Sequence, residues 1–253
     1  MKIKYQLWAL VLVFAALCSS CDESSMKSSD FFDSKPQLAL ADAAAHGDIV
    51  KIDELITAGI DVNATGRGGM TALFWALLQQ NKKGFAHLLE RGANPNIQLT
   101  ETLGGSDSIV TAGNSAISFA AMHKDVEYLK TALLHGGNSN LINPLRTNTP
   151  IYESILALRV ENAKALIAAG ANLNYQDRDG ETPMFVAATT SCYDLVFEML
   201  EAGADPTIKN TWGYTILYPI RNIRTDPQSQ QYKWRQKVID RLKEKGMDVE
   251  NGK

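Results

Sequence analysis

A glycine-centred segment recurs along this chain of 253 residues and limits what it can fold into. The copies read ITAGIDVNA, LERGANPNI, LHGGNSNLI, IAAGANLNY and LEAGADPTI, with glycines at Gly59, Gly92, Gly136, Gly170 and Gly203. Successive glycines are 33, 44, 34 and 33 residues apart, and KEKGMDVEN places Gly246 a further 43 residues on. One unit of this length cannot bury an apolar face alone, so the period predicts stacked copies that share one elongated core.

A second recurring segment precedes each glycine segment, and between the two lies a helical pattern. The second segment reads TALFWAL, SAISFAA, TPIYESI, TPMFVAA and TILYPIR. Apolar residues three apart follow it, and this spacing places both on one face of a helix. These pairs are Ile52/Leu55, Phe85/Leu88, Leu129/Ala132, Ala163/Leu166, Val196/Met199 and Ile239/Leu242. A glycine after each pair is typical of a helix end, where one residue adopts a left-handed conformation.

These segments resemble the ankyrin repeat, whose consensus runs Thr-Pro-Leu-His-x-Ala-Ala and then Leu-Leu-x-x-Gly-Ala-x-x-Asn. The first copy lacks the threonine but keeps LADAAAHGD from Leu40. The resemblance implies an all-α solenoid of about six helix-turn-helix repeats with short hairpin loops, over residues 37–253. It also implies a protein partner, because ankyrin stacks bind proteins on the concave side formed by hairpin tips and first helices.

Two stretches are longer than the repeat requires. About eleven extra residues lie near 100–110, in the hairpin before the third repeat, and about ten lie near 225–234, between the helices of the sixth. Both are expected to be polar surface loops, as tolerated insertions usually are. Long loops on a rigid scaffold often carry function, and family drift is the alternative explanation.

The N-terminus, MKIKYQLWALVLVFAALCSS, has two lysines, a short apolar run and small residues at its end. This pattern predicts a signal peptide over residues 1–20. The ending LCSSC resembles a bacterial lipobox, which implies cleavage before Cys21 and lipidation of that cysteine. Asp22 resembles an inner-membrane retention signal, and residues 21–36 are Ser-rich and are interpreted as a flexible tether. The chain is therefore expected to be periplasmic and attached to the membrane by its lipid only; an ordinary cleaved signal is the alternative.

Charge and motifs exclude several classes of function. The net charge is −3, so nucleic-acid binding is not expected. The sequence contains no nucleophile elbow, zinc-protease, Cys-x-x-Cys or phosphate-loop motif, and no two histidines have metal-ligand spacing. We therefore predict no enzyme activity, no metal and no cofactor. Cys192 is expected to be a buried, inert thiol, and the protein is expected to be a monomer.

Transferring the family's variable positions by register implies ten partner-binding residues. They are Arg67, Met70, Gln79, Asn114, His123, Arg146, Arg178, Asp179, Trp212 and Tyr214. Trp, Tyr and Arg dominate interface energies, so Trp212, Tyr214 and the three arginines are the strongest candidates. The arginines could instead be solvated hairpin tips, and Trp212 could instead cover the core below the terminal insertion. Trp75 and Phe119 fall at positions that the family buries and are predicted to be core.

Two functional hypotheses remain open from the sequence. In the first, a lipid-anchored periplasmic protein binds one protein partner, with an immunity protein that neutralises a secreted effector as its specific form. In the second, an envelope accessory factor stabilises a resident periplasmic enzyme. The identity of the partner distinguishes them.

Overall fold

The computed structural model describes residues 26–103, 108 and 110–250, and in these residues twelve α-helices form six antiparallel pairs. This architecture confirms the predicted all-α solenoid. The helices are α1 (Lys35–His46), α2 (Ile49–Thr57), α3 (Ala72–Leu78), α4 (Lys82–Glu90), α5 (Ala116–Met122), α6 (Val126–Leu134), α7 (Pro150–Leu156), α8 (Val160–Ala168), α9 (Pro183–Thr189), α10 (Tyr193–Glu201), α11 (Leu217–Asn222) and α12 (Gln230–Glu244).

The core is one continuous cluster that runs through all six pairs. Most members of the predicted apolar pairs are buried, and the others, Leu55 and Ile239, pack against the cluster. Small residues allow close helix contacts: a Cβ atom on Gly84 of α4 would lie 1.9 Å from the carbonyl oxygen of Ala44 in α1. Trp75 and Phe119 are buried, which confirms that they are core residues.

Asparagine side chains connect successive repeats at the helix–hairpin turns. The Oδ1 atom of Asn63 accepts a hydrogen bond from the backbone N–H of Asn94 at 2.7 Å. The same contact, at 2.6–2.8 Å, joins Asn96 to Asn138, Asn140 to Asn172, and Asn174 to Asp205. These bonds satisfy backbone donors that the turns leave without a helical partner. They give a physical reason for the asparagine that recurs four residues after each of these glycines.

The segment before α1 corrects the tether prediction. Ser28–Asp30 forms a short 3-10 turn, and Phe31 and Phe32 are buried in the core. The ring of Phe31 lies 5.6 Å from that of Trp75, and its carbonyl accepts a hydrogen bond from the N–H of Arg67 at 2.7 Å. Residues 28–36 therefore belong to the folded domain, and the prediction of a tether through residue 36 is wrong for this part.

The insertion near 100–110 lies in a hairpin, as predicted, but it is not wholly a polar surface loop. The N–H of Leu103 donates to the carbonyl of Val110 at 2.9 Å, and that of Leu99 donates to the carbonyl of Asn114 at 2.7 Å. We call the segment from Leu99 to Asn114 the finger. Its residues Leu99, Leu103 and Val110 are buried because the finger packs on the preceding hairpin, where a Cβ atom added to Gly68 would contact Leu103. The finger therefore adds to the core.

The insertion near 225–234 also differs from the prediction. Residues 223–229 form the connection, while residues from Gln230 onward extend α12 to 15 residues. The extension has a structural role, since the Gln231 side chain accepts a hydrogen bond from the N–H of Tyr193 at 2.8 Å and so caps α10. Trp234 packs on Phe197 with ring centroids 5.6 Å apart.

Three predictions at the N-terminus, namely the signal peptide over residues 1–20, lipidation of Cys21 and the signal at Asp22, lie outside the described residues. Among the described helices, none is long and apolar enough to cross a membrane. Cys192 is buried, and burial raises the pKa of its thiol, as expected for an inert side chain.

Candidate partner-binding surface

Six of the ten predicted partner-binding residues are exposed. Arg67 lies at the second hairpin, where its guanidinium is 3.7 Å from the Asp33 carboxylate. Gln79 ends α3, and Arg178 and Asp179 form the tip of the fifth hairpin. Trp212 and Tyr214 follow one repeat later. These side chains are available for contact with a partner.

Two predicted contact residues are core residues instead, and the prediction for them is wrong. Met70 and Asn114 each come directly before the residue that caps a first helix, and both are fully buried. The next hairpin covers this position in the stack: Asn143 donates from Nδ2 to Oδ1 of Asn114 at 3.4 Å. Neither side chain reaches the surface.

Arg146 is half-buried and is engaged within the protein. Its guanidinium donates to the buried carboxylate of Glu153 at 3.2 Å and to the hydroxyl of Thr111 at 3.1 Å. Asn148 donates to the same carboxylate oxygen at 3.0 Å. A buried carboxylate requires such partners, so Arg146 compensates the charge of Glu153 and is not the free recognition residue that the sequence predicted.

His123 is also a structural residue and not the exposed contact that was predicted. Its ring packs edge-on against Tyr128 with centroids 4.7 Å apart, and Nδ1 accepts the N–H of Asp125 at 3.0 Å. Burial lowers the pKa of His123, so the ring is neutral near pH 7. Asn162 of α8 donates to the carbonyl of His123 at 2.8 Å, which fixes this turn to the next repeat.

The sixth repeat carries three exposed aromatic side chains, which we call the aromatic cluster: Trp212 (54% exposed), Tyr214 (38%) and Tyr218 (40%). The rings of Tyr214 and Tyr218 stack with centroids 4.1 Å apart. Asn210 holds the hairpin, because its Oδ1 accepts the N–H groups of Trp212 and Tyr214 at 3.1 and 3.0 Å. A fixed, exposed aromatic cluster is typical of an interface hot spot.

A pocket of about 460 Å³ lies one turn along α11 from Tyr218, and we call it the arginine pocket. Arg221, Arg224 and Arg235 line it, together with Asp226. Arg235 donates a hydrogen bond to the carbonyl of Ile220 at 2.6 Å. Its guanidinium makes no ion pair with a carboxylate in the described part of the chain. The sequence-based prediction missed both Tyr218 and this pocket. The excess of Lys and Arg between residues 217 and 250 was the sequence feature that could have indicated the pocket.

Comparison with known proteins identifies the family. The family described as "Ankyrin repeats (3 copies)" matches residues 117–210. Protein PhlB of Serratia liquefaciens is 35% identical over 189 residues, covering 72% of this chain and 75% of PhlB. The chain belongs to the ankyrin-repeat family. Human mitochondrial disaggregase is 27% identical over 208 residues, which cover 80% of this chain but 26% of the disaggregase.

Solved ankyrin-repeat structures share this fold. The ankyrin-repeat protein EF0377 superimposes with a TM-score of 0.63 at 22% identity, covering 80% of this chain and 96% of EF0377. An ankyrin-repeat domain from Acinetobacter baumannii AYE gives a TM-score of 0.63 at 24% identity, covering 79% and 95%. The ankyrin fold is typically a scaffold for protein–protein interaction and not a catalytic one. In the residues that the structure describes, no group of three or more His, Cys, Asp or Glu residues is placed to hold a metal ion.

Proposed function

We propose that this ankyrin-repeat protein is a non-catalytic binding module that holds one protein partner. The observation that carries the proposal is the aromatic cluster, where a hairpin fixed by Asn210 exposes Trp212 and Tyr214 beside Tyr218. Exposed tips on the same series of hairpins, including Arg67 and Arg178, extend the candidate surface along the stack. Most binding energy is expected in the aromatic residues, since a minority of residues dominates an interface.

We further propose that the module is lipid-anchored in the bacterial periplasm and neutralises a secreted effector as an immunity protein. The support for the anchor is the N-terminal pattern, in which small residues precede Cys21. Within the described residues, the large exposed aromatic side chains lie together in this cluster, which suits capture of one partner. An accessory role beside a resident envelope enzyme would use the same surface, so the identity of the partner separates the two roles.

Affinity purification of the full chain from membranes tests the binding proposal. We expect one protein to co-purify with the wild type, and Trp212→Ala should weaken that association by about 2 kcal/mol or more, the usual scale of a hot spot. Lys164→Ala in α8 is the matched control on a second helix, and it should leave binding unchanged. A toxin-like effector supports immunity and a housekeeping enzyme supports the accessory role. If Trp212→Ala binds normally while a second-helix variant loses the partner, the proposed surface is wrong.

Lipidation is tested by Cys21→Ala. We expect that the variant is not acylated because it lacks the Cys21 thiol, so mass spectrometry should find acyl chains on the wild type only. The variant protein should then appear as an uncleaved or released form in fractionated cells. A wild-type N-terminus that carries no acyl group would contradict the anchor.

A further inference from the structure

One surface of the sixth repeat, which we call the outer face of α11 and define by Tyr218 and the preceding Tyr214, exposes side chains at positions that the earlier repeats bury. Tyr218 is the fourth residue of its segment, counted from Thr215, and Tyr214 comes directly before that threonine. Residues equivalent to Tyr218 are buried in repeats two to five: Phe74, Ser118, Tyr152 and Phe185. Residues equivalent to Tyr214 are buried in repeats two to four: Met70, Asn114 and Asn148. The aromatic cluster therefore occupies the kind of surface by which one repeat contacts the next.

The contacts of Tyr152 show what covers such a tyrosine. Its hydroxyl lies 2.7 Å from the carbonyl oxygens of Tyr175 and Glu181, and both belong to the hairpin of the following repeat. Its ring also meets the Tyr175 ring edge-on, with centroids 6.3 Å apart. A hairpin loop thus contacts a buried tyrosine through both its backbone carbonyls and an aromatic ring.

The backbone at Trp212 offers a matching acceptor. Gly68, Asp179 and Trp212 all stand three residues before the threonine that opens a first-helix segment. The carbonyl of Gly68 accepts the N–H of Thr100 at 2.9 Å, and that of Asp179 accepts the N–H of Thr211 at 3.0 Å. Both donors lie in the next hairpin. The carbonyl of Trp212 has no hydrogen-bond donor among residues 26–250 described by the structure.

Charge around this face selects the chemistry of an occupant. The arginine pocket adjoins the aromatic cluster, because Arg221 follows Tyr218 by one helical turn. Arg224 is exposed and makes no ion pair with a described residue. Residues 217–250 contain eight Lys or Arg against five Asp or Glu, whereas residues 26–216 contain 14 against 21. An occupant with carboxylates is complementary to this basic sixth repeat.

We infer that the outer face of α11 docks an acidic, hairpin-shaped loop of the protein partner, which takes the place that the next hairpin occupies on the earlier repeats. The loop backbone bonds to the Tyr218 hydroxyl and the Trp212 carbonyl, and its carboxylates enter the arginine pocket. This inference rests on the proposed function and gives the partner a shape, a charge and a docking site on the sixth repeat. It differs from docking on the concave side, which the resemblance implies.

Photo-crosslinking in the host cell tests the site. The full chain carries p-benzoylphenylalanine at position 218 (outer face), 79 (concave side) or 51 (second helix), and the crosslinked peptide is identified by mass spectrometry. We expect position 218 to crosslink to a loop of one protein that contains Asp or Glu. Arg224→Glu should reduce the yield about fivefold, while Lys83→Glu, the same charge change on an exposed, unpaired lysine of α4, should not. Circular dichroism checks that both variants are folded.

The outcomes separate the two proposals. A partner that crosslinks only from position 79 overturns the outer-face site and leaves the binding function standing. A crosslink from position 218 to a second copy of this chain, to lipid, or to a segment without carboxylates overturns the acidic loop. A yield that Arg224→Glu and Lys83→Glu reduce equally removes the role of the arginine pocket. No protein crosslink from any of the three positions contradicts both proposals.

Discussion

Glu181 is a carboxylate that the hairpin stack holds in an unfavourable environment. Burial raises its pKa to about 7, and the neighbouring carboxylates of Asp177 and Asp179 act in the same direction. A hydrogen bond with the Asn210 side chain opposes the shift only in part. The same Asn210 side chain accepts the N–H groups of Trp212 and Tyr214 in the next hairpin.

Glu181→Gln is predicted to flatten the pH dependence of stability. The folded-state pKa is raised above the ordinary value of 4.5, so the folded state binds more protons than the unfolded state between these values. The stability from this group is fully present below pH 4.5 and is lost as the pH rises through about 7. Urea unfolding from pH 4.5 to 8 should show this decline in the wild type and a shallower slope in the variant.

Glu101→Gln provides the control for this experiment, since Glu101 is an exposed carboxylate in the finger. It should keep the wild-type slope. A Glu181→Gln variant with the same slope as the wild type would mean that the Glu181 carboxylate is ionised in the folded protein and solvated.

At the scale of residues, the sequence predicts repeat position better than exposure. Register places Met70, Asn114 and Tyr214 at one position, yet two are fully buried and Tyr214 is exposed. The next hairpin covers Met70 and Asn114, whereas no described hairpin covers Tyr214, and this difference depends on tertiary stacking. Arg146 is likewise unpredictable, because its contacts with the buried Glu153 and with Thr111 of the preceding hairpin form only in the folded stack.

At the scale of elements, contact between helices of adjacent repeats limits side-chain size at Gly84. Alanine is the better helix former by about 1 kcal/mol, so an exposed site would gain stability from this change. Here the added Cβ would lie 1.9 Å from the carbonyl oxygen of Ala44, and α1 and α4 would have to separate. We therefore predict that Gly84→Ala lowers the free energy of unfolding by about 1–3 kcal/mol.

Gly170→Ala is a suitable comparison for Gly84→Ala. Gly170 has a φ of +78°, but no atom lies within 4 Å of its added Cβ, so only backbone strain of about 1 kcal/mol is expected. Denaturant melts of the two variants should place Gly84→Ala as the more damaging. A stabilised Gly84→Ala protein would show that α1 and α4 can move apart at little cost.

The order of helices is the part of the fold that the sequence predicts well. Six pairs follow from glycines near a 33-residue period and from apolar pairs such as Leu129 and Ala132. The polar average composition of the segment before α1 predicts a tether, although the adjacent Phe31 and Phe32 are buried. The finger likewise reads as a polar loop from its sequence, because its buried residues Leu99, Leu103 and Val110 are spaced among polar residues.

At the scale of the whole molecule, the N-terminal segment packs across the first two repeats: Ser28 bonds to Asp42 of α1, and Phe31 contacts Trp75 of α3. Phe32→Ala is predicted to lower the free energy of unfolding by about 3 kcal/mol, as for other buried phenylalanines. It should also speed proteolytic cleavage within residues 28–36. Val50→Ala on exposed α2 is the control and should be nearly neutral. Unchanged melting and cleavage in Phe32→Ala would restore the interpretation of a flexible tether.

Burial of Phe31 and Phe32 in the domain shortens the flexible linker that would join it to a membrane. With Cys21 acylated as proposed, six residues, 22–27, separate the lipid from the first folded turn. Six extended residues reach about 20 Å, whereas a tether through residue 36 would reach about 50 Å. The first repeat would then stay within about 20 Å of the lipid headgroups, and the outer face of α11 lies five repeats further along the stack.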